Sequence, residues 1–244
     1  MITTLEEVSL NAWASLQTML YDGWVIRFAN GYTKRANSVN PLYSSTIDIE
    51  EKLGFCENLY REKNLPVVFK LTLAVYPHDL DERLAERGYQ KDSLTSVQTV
   101  DLELSDLQVP SPAELQESLS DNWLGDFCAM SAISAPHEET LRQILMNIVP
   151  RHCFVSLTSN SRVVACGLGV LQSGYIGLFD IVTDPAFRKR GYGQQVVTSI
   201  LAWGKGNGAK MAYLQVMLHN PPALQMYAKL GFREQYQYWY RIKA

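Results

Sequence analysis

The sequence predicts a mixed α/β fold, and three observations lead to this prediction. Alternating apolar segments, which are typical of strands, are separated by segments that carry apolar residues at helical spacing. The composition is that of a globular protein, with 47% hydrophobic and 19% charged residues among 244. The segment Phe69–Gln90 also resembles the segment Ala212–Glu234. Together these features predict an α/β (α+β) mixed sheet that is duplicated along the chain.

The charge and cysteine patterns exclude several classes of protein. The net charge is -3, so no basic surface indicates a nucleic acid or an anionic membrane as partner. The four cysteines are widely spaced and the histidines lack metal-ligand spacing, which predicts free thiols and no metal site. The first ten residues show no signal-peptide pattern, and no apolar run is long enough to cross a bilayer. We therefore expect a cytoplasmic protein.

The internal repeat places equivalent residues at a constant spacing. Leu71 falls on Leu214, and Gly88 falls on Gly231. In both copies an alternating strand leads through a proline-bearing turn into a short helix that ends at Gly-aromatic. Glycine suits that position because a helix C-terminus often closes with a residue at positive φ. Each copy then continues into a last strand, which predicts two related halves.

A boundary between the halves is predicted near Pro110 and Pro112, which break the strand pattern. It divides the chain into an N-terminal domain of residues 1–108 and a C-terminal domain of residues 109–244. In the first domain we predict strands at 23–30, 35–43, 66–75 and 93–102, and a helix at 48–63. In the second we predict helices at 112–119, 137–149 and 193–203, and strands at 153–159, 162–172, 174–183, 212–218 and 235–242. In the second domain the first three strands should be antiparallel. The strands before and after the helix at 193–203 should form a parallel pair.

A basic, glycine-containing turn precedes the helix at 193–203. Arg188, Lys189 and Arg190 are followed by Gly191 and Gly193. At a helix N-terminus, unpaired N–H groups and the helix dipole favour an anion, and glycine lets a phosphate approach the backbone. The alternative interpretation is a solvated basic turn. A Rossmann motif would need a third glycine and a P-loop would need Gly-Lys-Ser/Thr, and both are absent here.

The stretch VTDPAFRKRGYGQQVV resembles the acyl-CoA-binding motif of GNAT-type N-acetyltransferases, R/Q-x-x-G-x-G/A. Arg188, Gly191 and Gly193 match it. The stretch HNPPALQMYAKLGF resembles the family's downstream motif, with Asn220, Tyr227, Gly231 and Phe232 matching. The resemblance covers about 114–244. Thr183 departs from it, because the family usually has a branched apolar residue there.

The resemblance implies a GNAT acyl-CoA N-acyltransferase fold and transfer of an acetyl group from acetyl-CoA to a primary amine of a small molecule or peptide, in a ternary complex. In such enzymes the strand backbone holds the pantetheine arm, the turn holds the pyrophosphate, and an asparagine orients the end of the pantetheine. A backbone N–H, that of Val182, would stabilise the oxyanion. The implied cofactor-binding residues are Ile181, Val182, Thr183, Arg188, Lys189, Arg190, Gly191, Tyr192, Gly193, Gln194 and Asn220.

Two residues are candidates for proton transfer. By resemblance, Tyr227 would protonate the departing CoA thiolate, which a phenol of reference pKa ~10 can do at neutral pH. Its alternative role is that of a core aromatic. Asp180 lies near the end of the strand that carries Val182. It is the candidate base, acting directly or through water. Its alternative is a carboxylate paired with a neighbour. His137, His152 and His219 are further candidates for the base.

The first half lacks the residues that would bind CoA. Leu84 stands at the position of Tyr227, Pro77 at that of Asn220, and Ser44–Glu50 replaces the basic turn. We interpret it as a degenerate GNAT-like half, similar in arrangement to tandem acetyltransferases. Arg35 and Asn37 could line an acceptor site between the halves, or serve only turn chemistry. The aromatic final strand could pair across a homodimer, and the alternative to an enzyme is a CoA-binding sensor or scaffold.

Overall fold

The computed structural model describes residues 1–104 and 113–243. We refer to these two ranges as the first half and the second half. The helices are α1 Ile2–Ala12, α2 Ile49–Glu62, α3 Leu80–Glu86, α4 Asp121–Ser131, α5 Ala135–Met146, α6 Tyr192–Gly206 and α7 Pro221–Lys229. The strands are β1 Gln17–Tyr21, β2 Trp24–Phe28, β3 Val39–Pro41, β4 Val67–Thr72, β5 Gln90–Asp101, β6 Glu114–Gln116, β7 Arg151–Ser159, β8 Arg162–Gln172, β9 Tyr175–Thr183, β10 Met211–Met217 and β11 Arg233–Lys243.

The described strands form one sheet in the order β1-β2-β3-β4-β11-β5-β10-β9-β8-β7-β6. The last strand of each half pairs with a strand of the other half: β5 pairs with β10, and β11 pairs with β4. β5 lies between β11 and β10, and β11 lies between β4 and β5. The two halves therefore share a continuous sheet and are not linked side by side through a loop alone.

The two halves repeat the same pairing pattern. β3 and β4 are parallel, as are β9 and β10, whereas β2–β3 and β8–β9 are antiparallel. The spacing in the sequence from Leu71 to Leu214 is also the spacing from Ile49, which begins α2, to Tyr192, which begins α6. Gly88 and Gly231 both have a φ of +85° at the ends of their helices, as the repeat predicts. The equivalent elements are thus in equivalent places.

Helices cover both faces of the sheet. α1, α4 and α5 pack on one face, in a cluster that includes Leu5, Trp123 and Phe154 together with residues of β4, β5 and β11. On the other face, α6 and α7 cover the second half and α2 and α3 cover the first. Because one cluster draws side chains from both halves, burial of apolar area holds the halves together.

Most of the predicted elements are confirmed. β8 spans the predicted residues, and α2, α5, α6 and β9 begin and end within a few residues of their predictions. The antiparallel β7–β8–β9 arrangement and the parallel β9–β10 pair around α6 are also confirmed. α1, β1 and α4 were not predicted. The proposed boundary between residues 108 and 109 lies outside the described residues, so the two domains stay a prediction.

Two structural predictions are wrong. The helix predicted at 112–119 is instead the short strand β6, in which Leu115 pairs with Val155 on β7; the helix begins only at α4, where Ser120 Oγ accepts from the Trp123 N–H at 3.2 Å. The predicted strand at 35–43 is reduced to β3, because Lys34–Ala36 forms a 3-10 turn.

β11 is an interior strand, with β4 on one side and β5 on the other. Both of its edges are occupied, so it cannot pair across a dimer as its aromatic pattern suggested. Its Tyr236, Tyr238 and Tyr240 are buried in the shared core instead. A homodimer formed through another surface stays a prediction. None of the described helices is long and apolar enough to cross a membrane.

Candidate active site between the two halves

β9 and β10 are paired over only part of their length. The parallel pairs run from Met211 with Tyr175 to Leu214 with Leu178. Beyond them β10 pairs only with β5, while β9 continues to Thr183 beside β8. The backbone of residues 181–183 therefore has no ladder partner on the β10 side. An unpaired strand edge inside a sheet can accept an extended ligand arm.

The turn after β9 is built by local hydrogen bonds and a left-handed backbone. Asp184 Oδ1 accepts from the Ala186 N–H at 2.9 Å, and its carboxylate also forms an ion pair with Arg162. Gly191 is the N-cap of α6 with a φ of +84°, and no atom lies within 4 Å of where a Cβ would be. At Gly193 a Cβ would lie 3.4 Å from Thr183 Oγ1. The helix N-terminus is therefore open, and its first-turn N–H groups have no intrahelical acceptor.

The cations of this turn are free of carboxylate partners. Arg188, Lys189 and Arg190 are exposed, and none forms an ion pair with a described residue. Arg188 Nε donates to the Thr183 carbonyl at 3.4 Å, and Arg190 lies 5.3 Å from the Phe187 ring. The Tyr192 hydroxyl donates to Ser159 at 3.1 Å, so only its backbone can face a ligand here. Open N–H groups and unpaired cations make this turn suited to a phosphate.

A cavity of about 480 Å³ lies where β9 and β10 separate. Asp180, Ile181, Val182, Asn220 and Tyr227 all line it, so the structure brings together both candidate proton-transfer residues and three of the predicted cofactor-binding residues. The turn at 188–194 lies beyond the end of β9, outside this cavity. The remaining lining comes from both halves and includes Thr33, Lys34, Arg35, Ser93, Thr95, Phe127, Gln215, Tyr238 and Tyr240.

Tyr227 lies on α7 with its ring packed against Phe232, at 5.7 Å between ring centroids. Burial raises the pKa of Tyr227 to about 12. The phenol is therefore protonated at neutral pH and can act as a proton donor. Its position fits both roles considered for it, because the ring belongs to the core while the residue lines the cavity.

Asp180 occupies an irregular point of β9. Its φ is +52°, and the β8–β9 register shifts beside it. Burial raises the pKa of Asp180 to about 7, and the charge of Arg35 partly opposes that shift. Its Oδ2 atom is buried and has no hydrogen-bond partner among residues 1–104 and 113–243. Asp180 is therefore not paired with a neighbouring cation, and its carboxyl can exchange a proton near neutral pH.

Asn220 has a structural task that sequence reasoning missed. It is the N-cap of α7, and its Oδ1 accepts from the Ala223 N–H at 3.3 Å. The carbonyl side of the amide is thus used by the helix. The Nδ2 group remains to donate to a ligand in the cavity.

Arg35 and Asn37, the two residues considered for an acceptor site, lie in different environments. Arg35 lines the cavity, whereas Asn37 does not. The Asn37 amide is used within its own loop, where Oδ1 accepts from Ala29 and Gly31 and Nδ2 donates to the carbonyls of Ala29 and Thr33. Asn37 therefore serves turn chemistry, which was the alternative considered for it.

None of the three candidate histidines lines the cavity. His137 is within hydrogen-bond distance of Ser134 Oγ, at 3.1 Å, and His152 Nδ1 donates to the Pro150 carbonyl at 2.8 Å. His219 is exposed beside the site. Among the described residues, no group of three His, Cys, Asp or Glu could hold a metal ion.

Sequence reasoning also missed the cavity residues from β5, β10 and β11. The alternation of Tyr238 and Tyr240 indicated that both side chains lie on one face of their strand. It did not indicate that they reach the cavity beside β9. A larger cleft of about 850 Å³ lies elsewhere, between α1, β1 and Asn147–Pro150. None of the predicted site residues lines it, and the chemistry described above belongs to the smaller cavity.

Two solved structures with the same arrangement are described as GNAT proteins. A GCN5-related N-acetyltransferase from Kribbella flavida superposes with a TM-score of 0.73 at 14% identity, over 99% of this chain and 95% of that one. A tandem GNAT protein from the clavulanic acid biosynthesis pathway gives a TM-score of 0.62 at 11% identity, over 84% and 74%. This likeness shows the GNAT fold, here with a single eleven-stranded mixed sheet.

Sequence relatives agree with the fold. The uncharacterized N-acetyltransferase YobR of Bacillus subtilis (strain 168) is 27% identical over 249 residues, which is 99% of this chain and 98% of that protein. The ribosomal protein bS18-alanine N-acetyltransferase of Salmonella typhimurium is 29% identical over 84 residues, which is 34% of this chain and 57% of that protein.

The fold and these relatives define the class of the protein, a GNAT N-acetyltransferase. A family model described as probable histone acetyltransferase Rv0428c C-terminal matches residues 1–241. The chain belongs to that family.

Proposed function

We propose that this enzyme transfers the acetyl group of acetyl-CoA to a primary amine by direct attack in a ternary complex. The observation that carries the proposal is the continuity of the site. The open N-terminus of α6 follows directly on the unpaired edge of β9, and that edge enters the cavity that holds Asp180 and Tyr227. A long ligand with a diphosphate at one end and a thioester at the other fits this path.

The residues present suit acetyl-CoA. The N–H groups at the start of α6, with Arg188, Lys189 and Arg190, would hold the pyrophosphate. The backbone of Ile181, Val182 and Thr183 would bind the pantetheine arm, and Asn220 Nδ2 would donate to its end. Gly191 leaves the space a phosphate needs, because no atom lies within 4 Å of a Cβ built there. Gly193, Tyr192 and Gln194 would contribute backbone N–H groups.

The chemistry then needs one base and one acid. Asp180, with its pKa near 7, would accept a proton from the ammonium of the acceptor, directly or through water. The amine nitrogen would bond to the thioester carbonyl carbon while the Val182 N–H stabilises the oxyanion. When the carbon–sulfur bond breaks, Tyr227 would give its proton to the CoA thiolate. The amine nitrogen would lose its second proton as the amide forms, and that proton would return Tyr227 from phenolate to phenol, directly or through water. Asp180 would pass its proton to solvent, so the products are an amide, CoA and one proton.

The first half would not bind CoA. Asp48 stands at the position of Gly191, and its Oδ1 accepts from the N–H groups of Glu50 and Glu51 at 2.9 and 3.3 Å. The donors that a phosphate would use are therefore taken by a carboxylate, and two more acidic residues lie in that turn. Leu84, at the position of Tyr227, is fully buried. We infer a tandem enzyme in which the first half contributes to the acceptor side only.

The acceptor we propose is a small amine. The cavity volume of about 480 Å³ lies within the range of small-molecule sites, and its walls come from both halves. The names of the family and of the bS18 relatives indicate protein acceptors for those proteins. The bS18 relative of Salmonella typhimurium aligns with only 34% of this chain, so most of the chain has no counterpart in that comparison.

Release of CoA thiol from acetyl-CoA, measured with a panel of amines, tests the proposal. We expect amine-dependent thiol release and acetylated products that mass spectrometry identifies. Binding of acetyl-CoA without turnover of any small amine or peptide would favour a CoA-binding sensor or scaffold. Absence of acetyl-CoA binding would contradict the proposed function altogether.

A further inference from the structure

The wall of the cavity that belongs to the first half carries two cations, which differ in their partners. Lys34 forms an ion pair with Asp92 and its Nζ donates to Ser93 Oγ at 2.5 Å. The Arg35 guanidinium, by contrast, forms no ion pair and no hydrogen bond with any described residue. It is partly buried and lines the cavity. A half-buried guanidinium without a carboxylate is unusual, because burial of an unpaired charge costs free energy.

Aromatic rings and the loop hold Arg35 in place. Its Cζ lies 4.8 Å from the centroid of the Trp13 ring and 6.0 Å from that of Phe179. Its carbonyl oxygen accepts from Arg27 Nη1 at 2.7 Å, which fixes the backbone of the residue. A guanidinium stacked on rings keeps its N–H edge free for a planar, bidentate partner. Arg35 is thus preorganised to bind an anion that the chain does not supply.

The charge around Arg35 also favours an added anion. The positive charges of Arg27 and Arg35 are close enough to interact. The Arg27 guanidinium donates to Ser15 Oγ and to the carbonyls of Leu10, Trp13 and Arg35. It forms no ion pair with a carboxylate of the described residues. The carboxyl that faces Arg35 is that of Asp180, next to Phe179, and the two form no ion pair. Tyr32 and Tyr240 also face it and are neutral. The Glu6 carboxylate also acts on Arg27 and Tyr240, but it is ion-paired with Lys70. With Lys70 included, cations outnumber carboxylates at this end.

We propose that the acceptor carries a carboxylate as well as its primary amine, with Arg35 binding the carboxylate and Asp180 facing the amine. The inference rests on the proposed function, since it names the substrate class of the same site. Arg35 offers a fork of N–H donors, which matches a carboxylate better than a single hydroxyl or carbonyl. An unpaired cation and an unpaired carboxyl on one cavity suit a zwitterion such as an amino acid.

The experiment compares matched pairs of amines that differ by the carboxylate. The pairs are phenylalanine with phenethylamine, leucine with isopentylamine, and β-alanine with ethylamine. For each we would measure kcat/KM by thiol release and, by calorimetry, binding to the CoA-saturated enzyme. We expect the carboxylate-bearing member of at least one pair to be favoured. Arg35→Met should lower kcat/KM for that member by about 10- to 100-fold and leave its partner amine within about twofold.

Two control variants test whether the effect is specific to the guanidinium of Arg35. Arg35→Lys keeps the charge but not the fork, so it should retain part of the preference. Arg61→Met removes an exposed arginine of α2 that bonds only Asn58, and should change nothing. The inference is overturned if no carboxylate-bearing member is favoured in turnover or binding, or if Arg35→Met affects both members of a pair equally.

Acetyl-CoA binding distinguishes this inference from the proposed function. If wild type and Arg35→Met both bind acetyl-CoA, a lack of carboxylate preference contradicts only the acceptor class. If wild type does not bind acetyl-CoA, the proposed function fails. The amine-binding measurement, repeated without CoA, would then still show whether Arg35 recognises a carboxylate.

Discussion

α2 begins at Ile49 after Asp48, whereas α6 begins at Tyr192 after Gly191. The two helices occupy equivalent places in the halves of one sheet, and both start beside the end of a short parallel pair. Asp48 fills its own helix N-terminus with a carboxylate, while Gly191 leaves the N-terminus of α6 open beside three unpaired cations. The comparison shows that one backbone arrangement carries a carboxylate at one helix N-terminus and an open glycine beside cations at the other, which predicts that only α6 binds an anion.

The largest effect is expected from Gly191→Glu, which gives α6 the acidic character of α2. At a φ of +84° any side chain is strained, and the carboxylate would lie where the pyrophosphate binds. Acetyl-CoA affinity should fall by at least about 100-fold by calorimetry. Gly208→Glu is the matched control, because Gly208 has a φ of +92° with equally open space at the other end of the helix. Equal loss in both variants would show general strain instead of a blocked site.

Tyr227→Phe should lower kcat by about 100-fold or more while leaving acetyl-CoA affinity unchanged, because it removes only the proton donor for the thiolate. Stopped assays of thiol release and calorimetry measure the two quantities. The comparison variant is Tyr89→Phe in the first half, where the hydroxyl donates to Glu57 at 3.0 Å. That change should leave kcat unaltered. Full activity of Tyr227→Phe would remove Tyr227 from the proposed chemistry.

Asp180→Asn should reduce activity by about 10- to 100-fold and at the same time stabilise the fold above neutral pH. The folded pKa of Asp180 is raised to about 7 by burial, so the folded state holds a proton that the unfolded state has already released. Wild type therefore loses stability relative to the variant as the pH rises from about 4 to about 7, by at most about 4 kcal/mol.

Urea unfolding of both proteins between pH 4 and pH 8 measures the difference. A difference that stays constant across this range would contradict the raised pKa. Retained activity in the variant would instead assign the base to water or to another group.

Asn220→Asp and Asn220→Ala separate the two tasks of the Asn220 amide. Aspartate keeps the oxygen that accepts from Ala223 but loses the donor, so acetyl-CoA affinity should fall about 5- to 10-fold with little change in stability. Alanine should lower both affinity and stability. Identical affinity in wild type and Asn220→Asp would show that Asn220 serves only as the cap of α7.

The smallest effect is expected in the first half. Asp48→Ala removes the N-cap of α2 and should lower the free energy of unfolding by about 1 kcal/mol, with acetyl-CoA affinity unchanged. Chemical unfolding and calorimetry measure the two effects. A change in acetyl-CoA affinity would indicate that α2 takes part in binding after all.

Local patterns in the sequence predicted the local structure well. The alternation in β8 and β9, the helical stripe of α6 and the glycines at 88 and 231 were all placed correctly, because each depends on neighbours along the chain. The exchange of β5 and β11 was not predictable in this way. Periodicity shows which face of a strand is buried but carries no information about which strand lies beside it. Ser93 and Thr95 of β5, from the first half, reach the cavity beside β9 and β10 only through that exchange.

The candidate site shows the same division. Motif spacing predicted the turn, Asp180, Asn220 and Tyr227. The structure places Asp180, Asn220 and Tyr227 on one cavity and the turn beyond the end of β9, outside that cavity. The proposed acceptor side includes a loop from the first half. In that loop the sequence alone indicated the same candidate role for Arg35 and Asn37. Only the hydrogen bonds of the folded loop show that Asn37 is used internally and that Arg35 is free.

The stoichiometry of acetyl-CoA binding, measured by calorimetry on wild type, tests the central difference between the halves most directly. We expect one site per chain, abolished by Gly191→Glu and unaffected by Asp48→Ala. Two sites per chain, or a single site that survives Gly191→Glu, would contradict the assignment of the CoA site to the second half.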